Sequence, residues 1–599
     1  MAGRNPPTTA AHQCHAMTIK TDSSSSSLRT HLDHQPRPLQ FGTSGRRGLL
    51  LDLTQLEIYI NVVAELEYLQ SLPVDAGGIT PGDDFYFGAD LRPSSTTITM
   101  PNPSRGELAQ AIEAAIRAVD MRPVYCGALP TPALTAYALA RGKGSIMVTG
   151  SHIPFDRNGY KTNTSAGELL KCHEQPINAR VLAVRERVYA QPADTSPFAA
   201  NGQFKDGPRE LPEVDPAATE AYMSRYLDFF GPEALSGLKV VAYQHSAVGR
   251  DLLPRILRRL GAKVFPAGRS EVFVPIDTEN IDASQLEVMQ DLIGEVAARH
   301  GPVDALVSTD GDSDRPLVLG VDPATGRARF FGGDLLGMVT AEYLNADAVV
   351  VPISCNDAID RGTQRHIVEP KTRIGSPFVI AGMQAAAARG RQAVCGWEAN
   401  GGFLTATPIT RNGCTLPPLP TRDALLPIIA VLAAARASQQ PLVKLFERLP
   451  RRFSRAALLK DFPRAQSLAL LCQLTPGNPE VCEVGFAELN HVACCNAAQE
   501  SVPVTTAETE ILSSIRDRLR GHFSRNAGFG EITRLNYLDG LRIHFDNGDV
   551  AHIRPSGNAD ELRIYAVADT QERADAIAAL GVAEPGGILR SLALGASGH

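Results

Sequence analysis

The stretch Asp304-Ala305-Leu306-Val307-Ser308-Thr309-Asp310-Gly311-Asp312-Ser313-Asp314-Arg315 joins an apolar run to a loop of alternating carboxylates. A short apolar run bounded by a turn signal reads as a buried strand, here over 304–308. The loop sets Asp310, Asp312 and Asp314 two residues apart, and Gly311 is expected to let the chain curl so that all three converge on one point. Hard oxygen ligands in that number suit Mg²⁺, which keeps room for a phosphate oxygen. An EF-hand loop needs a Glu at its twelfth position and helical flanks; the twelfth residue from Asp310 is Val321, so that calcium loop fails. A solvated acidic turn is the reading that competes with a metal site.

Working outward, strand-like and helix-like segments alternate, the signature of an α/β protein. Residues 85–89 and 124–126 read as strands, 107–119 and 133–140 as helices, and 145–148 as a strand running into Thr149-Gly150-Ser151-His152. The pattern returns with a strand at 238–243 and a helix at 249–260. It returns again with strands at 348–351 and 392–395 and helices at 377–389 and 423–435. Three α/β units thus cover 39–445, repeating in architecture but not in sequence. Beyond them, 453–459, 541–545 and 550–553 read as strands and 506–520 as a helix. The Asn547-Gly548 pair signals a hairpin, and an α+β domain is expected here. Linkers are expected near 191–215 and 445–452; the segment 466–501 gives no clear pattern.

Composition narrows the class. The 599 residues are 44% hydrophobic and 21% charged with a net charge of -7, ordinary for a globular protein. No basic stripe marks a nucleic-acid binder, and no run approaches ~20 apolar residues, so no membrane helix is expected. Ten cysteines form no C-x-x-C pair and read as reduced and cytoplasmic. Residues 1–38, rich in Ser, Thr, His and Pro, read as a disordered tail without the apolar core of a secretory signal.

Four further loops carry candidate chemistry. In Thr149-Gly150-Ser151-His152-Ile153-Pro154, followed by Asn158-Gly159-Tyr160-Lys161, a serine stands at the carboxyl edge of a sheet, where α/β proteins bind ligands. Such a serine relays a group covalently if a base and a cation are close. A helix cap is the competing reading, and the hydrolase motif G-x-S-x-G is absent. Arg554-Pro555-Ser556-Gly557-Asn558, with Arg563 beyond, offers a guanidinium fork and backbone amides to a phosphate. Gly396-Trp397-Glu398-Ala399-Asn400-Gly401-Gly402 presents Glu and Asn to vicinal sugar hydroxyls, with Trp397 read as packing. Phe41-Gly42-Thr43-Ser44-Gly45-Arg46-Arg47-Gly48 suits close approach to an anion.

In this order the five loops resemble those of the α-D-phosphohexomutase family, which includes phosphomannomutases, phosphoglucomutases and phosphoglucosamine mutases. FGTSGRRG matches the family's F-G-T-S-G-x-R-G, TGSHIP…NGYK its T-A-S-H-N-P…N-G-x-K, and DGDSDR its D-G-D-x-D-R. GWEANGG loosely matches G-E-x-S-G-H, and RPSGNA matches R-P-S-G-T-E. Smaller echoes are Asp90, Arg92 and Ser94, and Thr372-Arg373-Ile374-Gly375. The resemblance spans about 39–570. It implies three related mixed α/β domains plus a smaller C-terminal α+β domain around a central active-site cleft: 39–205 with the phosphoserine loop, 206–326 with the Mg-binding loop, 327–447 with the sugar loop and 448–599 with the phosphate loop.

It also implies a reaction. Phosphorylated Ser151 would hold Mg²⁺ with Asp310, Asp312 and Asp314 and pass its phosphoryl to a hexose 1- or 6-phosphate, giving a hexose 1,6-bisphosphate that serves as intermediate and activator. Lys161 and Arg47 match proton-transfer and charge-stabilising positions. Arg315, Glu398 and Asn400 would face the sugar, while Arg554, Ser556, Gly557, Asn558 and Arg563 hold the other phosphate. The chain departs from the family where Asn400 replaces Ser, Gly402 replaces His, Ile153 replaces Asn, and Asn558-Ala559 replace Thr-Glu. His152 is the candidate for the role that Gly402 leaves vacant. The favoured reading is a phosphomannomutase, a monomer or weak dimer, with phosphoglucomutase as the alternative. A phosphatase, or a non-catalytic phosphosugar-binding paralogue, are the readings of another class.

Overall fold

A computed structural model describes residues 26–42, 45–279, 281–486, 492–556 and 560–596. The first sheet runs in the order Arg46–Leu49, Arg157–Thr164, Ser145–Val148, Asp84–Ala89, Arg122–Ala128. Its last three strands are parallel, and Ser145–Val148 lies antiparallel to Arg157–Thr164. That antiparallel pair brings the start of the serine loop and Lys161 side by side. Helices Gln55–Ser71, Leu108–Ala118, Thr131–Leu139 and Lys171–Tyr189 cover the sheet.

The second sheet runs Lys263–Arg269, Lys239–His245, Ala305–Thr309, Pro316–Val321, Ala328–Phe330. The acidic loop is the turn between Ala305–Thr309 and Pro316–Val321, which pair antiparallel. The domain limit expected at 326/327 falls inside a hairpin: Ala328–Phe330 pairs with Pro316–Val321 and so belongs to this sheet. A third sheet of Ala348–Val350, Val394–Trp397, Phe403–Thr405 and Leu419–Asp423 carries the sugar loop between its second and third strands.

The C-terminal domain is an antiparallel sheet in the order Phe453–Leu459, Leu562–Ala568, Val550–Pro555, Leu541–Phe545, Ile532–Asn536, Glu483–Phe486, Val492–Cys495. The pattern-poor 466–501 segment contributes its last two strands. The expected hairpin forms, with Phe545 N–H bonding to the Asp549 carbonyl and Gly548 in the left-handed region at φ 86°.

Two expectations need correction. The disordered tail does not reach residue 38: Leu28–His31 is a helical turn whose Leu28 is buried beside the first domain, and residues 1–25 lie outside the described residues. The linker over 191–215 is packed, because Phe198 is fully buried and stacks on Phe204 at 4.8 Å.

The cores show how the domains are joined. One apolar cluster runs through the first three, from Tyr86 and Tyr137 through Tyr222 and Leu253 to Trp397 and Ile428. Within it the Tyr222 and Tyr226 hydroxyls donate to the buried Asp423 carboxylate. The C-terminal domain has its own core around Ile543, Leu562 and Leu589.

Candidate active site

Ser151 is fully buried and sits at φ 55°, in the left-handed region that non-glycine residues rarely adopt. The conformation is held from several sides. The Thr149 hydroxyl accepts the Ser151 N–H at 2.7 Å, and the Arg92 guanidinium underpins the loop by donating to the carbonyls of Ser151, Ile153, Pro154 and Arg157 at 2.7–3.3 Å. Phe273 stacks on the same guanidinium. Arg92, only an echo in the sequence, is thus the organiser of the serine loop.

The acidic loop meets it. Ser151 Oγ donates to Asp310 Oδ2 at 2.7 Å and lies 3.3 Å from His152 Nδ1. The Thr131 hydroxyl donates to Asp312 Oδ2 at 2.6 Å, and Lys161 Nζ donates to Asp312 and Asp314 at 2.7 Å each. Gly311 does not supply the curl expected of it. Its φ is ordinary, and the left-handed residue is Ser313 at φ 59°. Glycine is required at 311 by proximity, since a Cβ there would lie 2.6 Å from the Ser151 carbonyl oxygen.

Asp310, Asp312 and Asp314 each bring a carboxylate oxygen within 4.8 Å of the others, and all three are buried. Asp312 Oδ1 and Asp314 Oδ1 are buried with no hydrogen-bond partner. Orphaned acceptors of this kind are costly inside a protein, and a small hard cation satisfies them, so these residues fit a divalent metal such as Mg²⁺. Burial and the neighbouring Asp312 and Asp314 push the Asp310 carboxyl well up. Burial opposes ionisation at Asp312 as well, but Lys161, Thr131 and Arg422 together outweigh it and hold that carboxyl below its usual range.

Cations face this cluster. Arg315 Nε lies 3.6 Å from Asp314 and 3.9 Å from Asp310. Burial and the charge of Arg315 press the Arg47 guanidinium down to about 10. Burial, with Arg315 and Arg47, holds His152 well below the usual imidazole range and therefore neutral. Arg47, Arg315 and Arg563 each keep a buried Nε without a hydrogen-bond partner, a donor set suited to an incoming phosphate.

Across the cleft, Arg554 and Arg563 are direct neighbours on adjacent strands, so both project from one face. Arg554 Nε donates to Asp539 at 2.9 Å, and Ser556 N–H bonds to the Glu561 carbonyl. Gly557 and Asn558 lie outside the described residues. In the sugar loop, Glu398 and Asn400 are both buried. Asn400 Oδ1 is taken by the Gly402 N–H at 2.9 Å, which leaves its amide N–H₂ as donor. Trp397 is buried, stacked parallel to Phe403.

Sequence reasoning missed two residues here. Arg422 is buried and pairs with Asp314 and Glu398. Glu279, beside Arg315 and Arg563, is pushed up to about 7 by burial and Asp277. Neither stands in a glycine-flanked loop. The available signal for Arg422 was a charged Arg422-Asp423 pair opening a long apolar run.

A buried serine set against three carboxylates and faced by arginines from several α/β domains is machinery for moving phosphoryl groups, a task of positioning and charge neutralisation. The chain matches phosphoglucomutase/phosphomannomutase α/β/α domains I, II and III over 38–187, 220–324 and 332–453, and the C-terminal domain of the same proteins over 505–581. It is 37% identical over 91% of its length to a phosphomannomutase of Sinorhizobium fredii, covering 98% of that protein. It is 33% identical over 90% of its length to a phosphomannomutase of Salmonella muenchen, covering 93% of that one. The fold is that of a phosphoglucomutase/phosphomannomutase family protein from Burkholderia thailandensis, with TM-score 0.57 and 17% identity over 93% of this chain and 97% of that one. The chain belongs to the phosphoglucomutase/phosphomannomutase family and is an enzyme of the mutase class. Among the described residues no helix is long and apolar enough to cross a membrane.

Proposed function

We propose that the chain is a phosphomannomutase interconverting mannose 1-phosphate and mannose 6-phosphate through phosphorylated Ser151 and a hexose 1,6-bisphosphate. The observation that carries this reading is Ser151 Oγ at 2.7 Å from Asp310, inside a buried acidic triad. Asp310, Asp312, Asp314 and Ser151 would hold Mg²⁺, which when bound neutralises charge on the moving phosphoryl group. Arg47 and Arg315 supply donors to the same oxygens, and Lys161 sets the direction of Asp312 and Asp314. Neutral His152, 3.3 Å from Ser151 Oγ, would take up or return the hydroxyl proton.

The chemistry balances over two transfers. The Ser151–phosphoryl bond breaks as the free sugar hydroxyl bonds to phosphorus. The bisphosphate turns end for end, and its other phosphoryl returns to Ser151. Arg554, Ser556, Gly557, Asn558 and Arg563 would grip the phosphate that is not reacting, and Glu398 and Asn400 would read sugar hydroxyls. Glu398 suits a 3-hydroxyl common to mannose and glucose, which keeps phosphoglucomutase as the second reading. The phosphosugar is the partner we assign, to a monomer or weak dimer. A cytoplasmic location is supported by nine described cysteines that are all free.

The test is conversion of mannose, glucose and glucosamine 1-phosphates by purified protein with Mg²⁺ and a trace of hexose 1,6-bisphosphate. Mannose 1-phosphate turnover is expected, and no turnover of any of them refutes the mutase reading. Intact mass is expected to show one added phosphate that Ser151→Ala lacks.

A further inference from the structure

Arg422, at the end of the strand Leu419–Asp423, is 3% exposed and makes contacts in two domains. Its Nε and Nη2 reach Asp314 Oδ2 at 3.1 and 3.0 Å, and its Nη1 reaches Glu398 Oε2 at 2.8 Å. One guanidinium thus ties a carboxylate of the acidic loop to the carboxylate of the sugar loop. Space for its stem comes from Gly402. A Cβ at 402 would lie 2.6, 2.7 and 2.9 Å from Cδ, Cγ and Cβ of Arg422. The Gly402 backbone is not left-handed, so conformation does not demand glycine there; room does. A side chain at 402 and Arg422 in its observed place exclude one another.

We propose that Gly402 and Arg422 form a matched pair, in which Arg422 is the positioning residue that orients Glu398 toward the sugar and Asp314 toward the metal position. The inference rests on the mutase reading above. Asp314 and Glu398 are both buried and both acidic, and without a cation between them they repel. A planar fork fixes the direction of each partner as well as its charge, which an ammonium does not. With Oε2 engaged, Glu398 reads a hydroxyl through Oε1. With Asp314 Oδ2 shared between Arg422 and Lys161, the oxygen left for a cation is Oδ1, the one without a hydrogen-bond partner.

A double-mutant cycle tests the pairing, with KM for mannose 1-phosphate, kcat and melting temperature as readouts. Gly402→Ala displaces Arg422, and Arg422→Ala removes it; each single change is expected to raise KM at least tenfold. In the double variant the new methyl enters vacated space, so its KM is expected within twofold of that of Arg422→Ala, and its melting temperature no lower. A double variant whose KM rises by the product of the two single effects overturns the pairing. Arg422→Lys keeps the charge but loses the fork, so its KM is expected to rise by a larger factor than its kcat falls; a wild-type KM in that variant overturns the positioning role. Wild-type protein without any hexose phosphate turnover would instead refute the mutase reading on which the pairing rests.

Discussion

At the scale of single residues, the site is governed by close approach. Gly311 could be seen in the sequence as special, but the reason could not, because the atom it must avoid is the carbonyl of Ser151, 160 positions earlier in the chain. The added methyl of Gly311→Ala must push the acidic loop off the serine loop, so we expect kcat to fall about 100-fold, the order seen when reacting groups are misplaced by ~1 Å. The melting temperature should change little, and kinetics beside a thermal melt check both. A second residue tests electrostatics away from the chemistry. His552 is buried, with Nε2 donating to the Asp539 carbonyl at 2.6 Å. Burial, with Arg542 nearby, presses its imidazole down to about 3 from an ordinary 6.5. A folded value below the unfolded one means that the unfolded chain binds more protons between the two. The contribution is therefore complete above about pH 6.5 and is lost as pH falls toward 3. At pH 5 the loss is about 2 kcal/mol. Melting curves from pH 7 to 5 should fall less steeply in His552→Gln than in the wild type.

At the scale of elements, the strands and helices of the first three domains that were legible are compact apolar runs closed by Gly, Pro or charged loops; the helices Gln55–Ser71, Lys171–Tyr189, Ala217–Phe230 and Ala283–His300 were not read. Ser145–Val148 and the acidic-loop strand Ala305–Thr309 stand where their patterns put them. The segment 466–501 was not legible. Its strands Glu483–Phe486 and Val492–Cys495 lie at a sheet edge, half-covered, where alternation is weak. The loops' order in the sequence also pointed to the meeting of Ser151, Lys161 and the acidic triad, which do converge. It did not give Arg422, which stands on a strand rather than a loop. The two-strand ribbon that carries Arg554 and Arg563 makes its own prediction. The register Arg554↔Arg563 sets both cations on one face, and a hydrogen bond to a charged group contributes ~1.5–3 kcal/mol. Arg563→Ala should therefore raise KM for hexose phosphates roughly 10–100-fold. Melting should fall only slightly, because Arg563 is partly exposed and its contact with Glu561 is long, at 3.5 Å. Steady-state kinetics on mannose 1-phosphate check the first, thermal melts the second.

At the scale of the whole molecule, the relay needs a part that moves and a part that does not. The first three domains share one apolar cluster from Tyr86 to Ile428, while the C-terminal domain keeps its core to itself. What joins it to the third domain is largely polar. Arg452 forks onto Asp357 at 2.6 and 3.1 Å and also reaches Asp569 and the Gly548 carbonyl, Asn356 donates to Ser454, and Arg542 donates to the carbonyls of Ile353 and Cys355. A joint of directional bonds without a shared core swings more readily than an interdigitated one, and Arg554 and Arg563, which would grip the phosphate, stand on the C-terminal side of it. Turning a bisphosphate end for end requires that grip to open while Ser151 and the acidic triad stay fixed, since the triad is held by residues of the shared body. Arg452 is the pin of the joint: it is 2% exposed, and removing it leaves the Asp357 carboxylate without its fork. Breaking a buried pair from one side costs about 3–5 kcal/mol. We therefore expect Arg452→Ala to speed amide hydrogen exchange across the C-terminal sheet, from Phe453–Leu459 through Leu562–Ala568, while Ser145–Val148 and Ala305–Thr309 exchange as in the wild type. A uniform rise in exchange across all four domains would show that the joint is no weaker than the body it is attached to, and the swinging-domain account of turnover would fall.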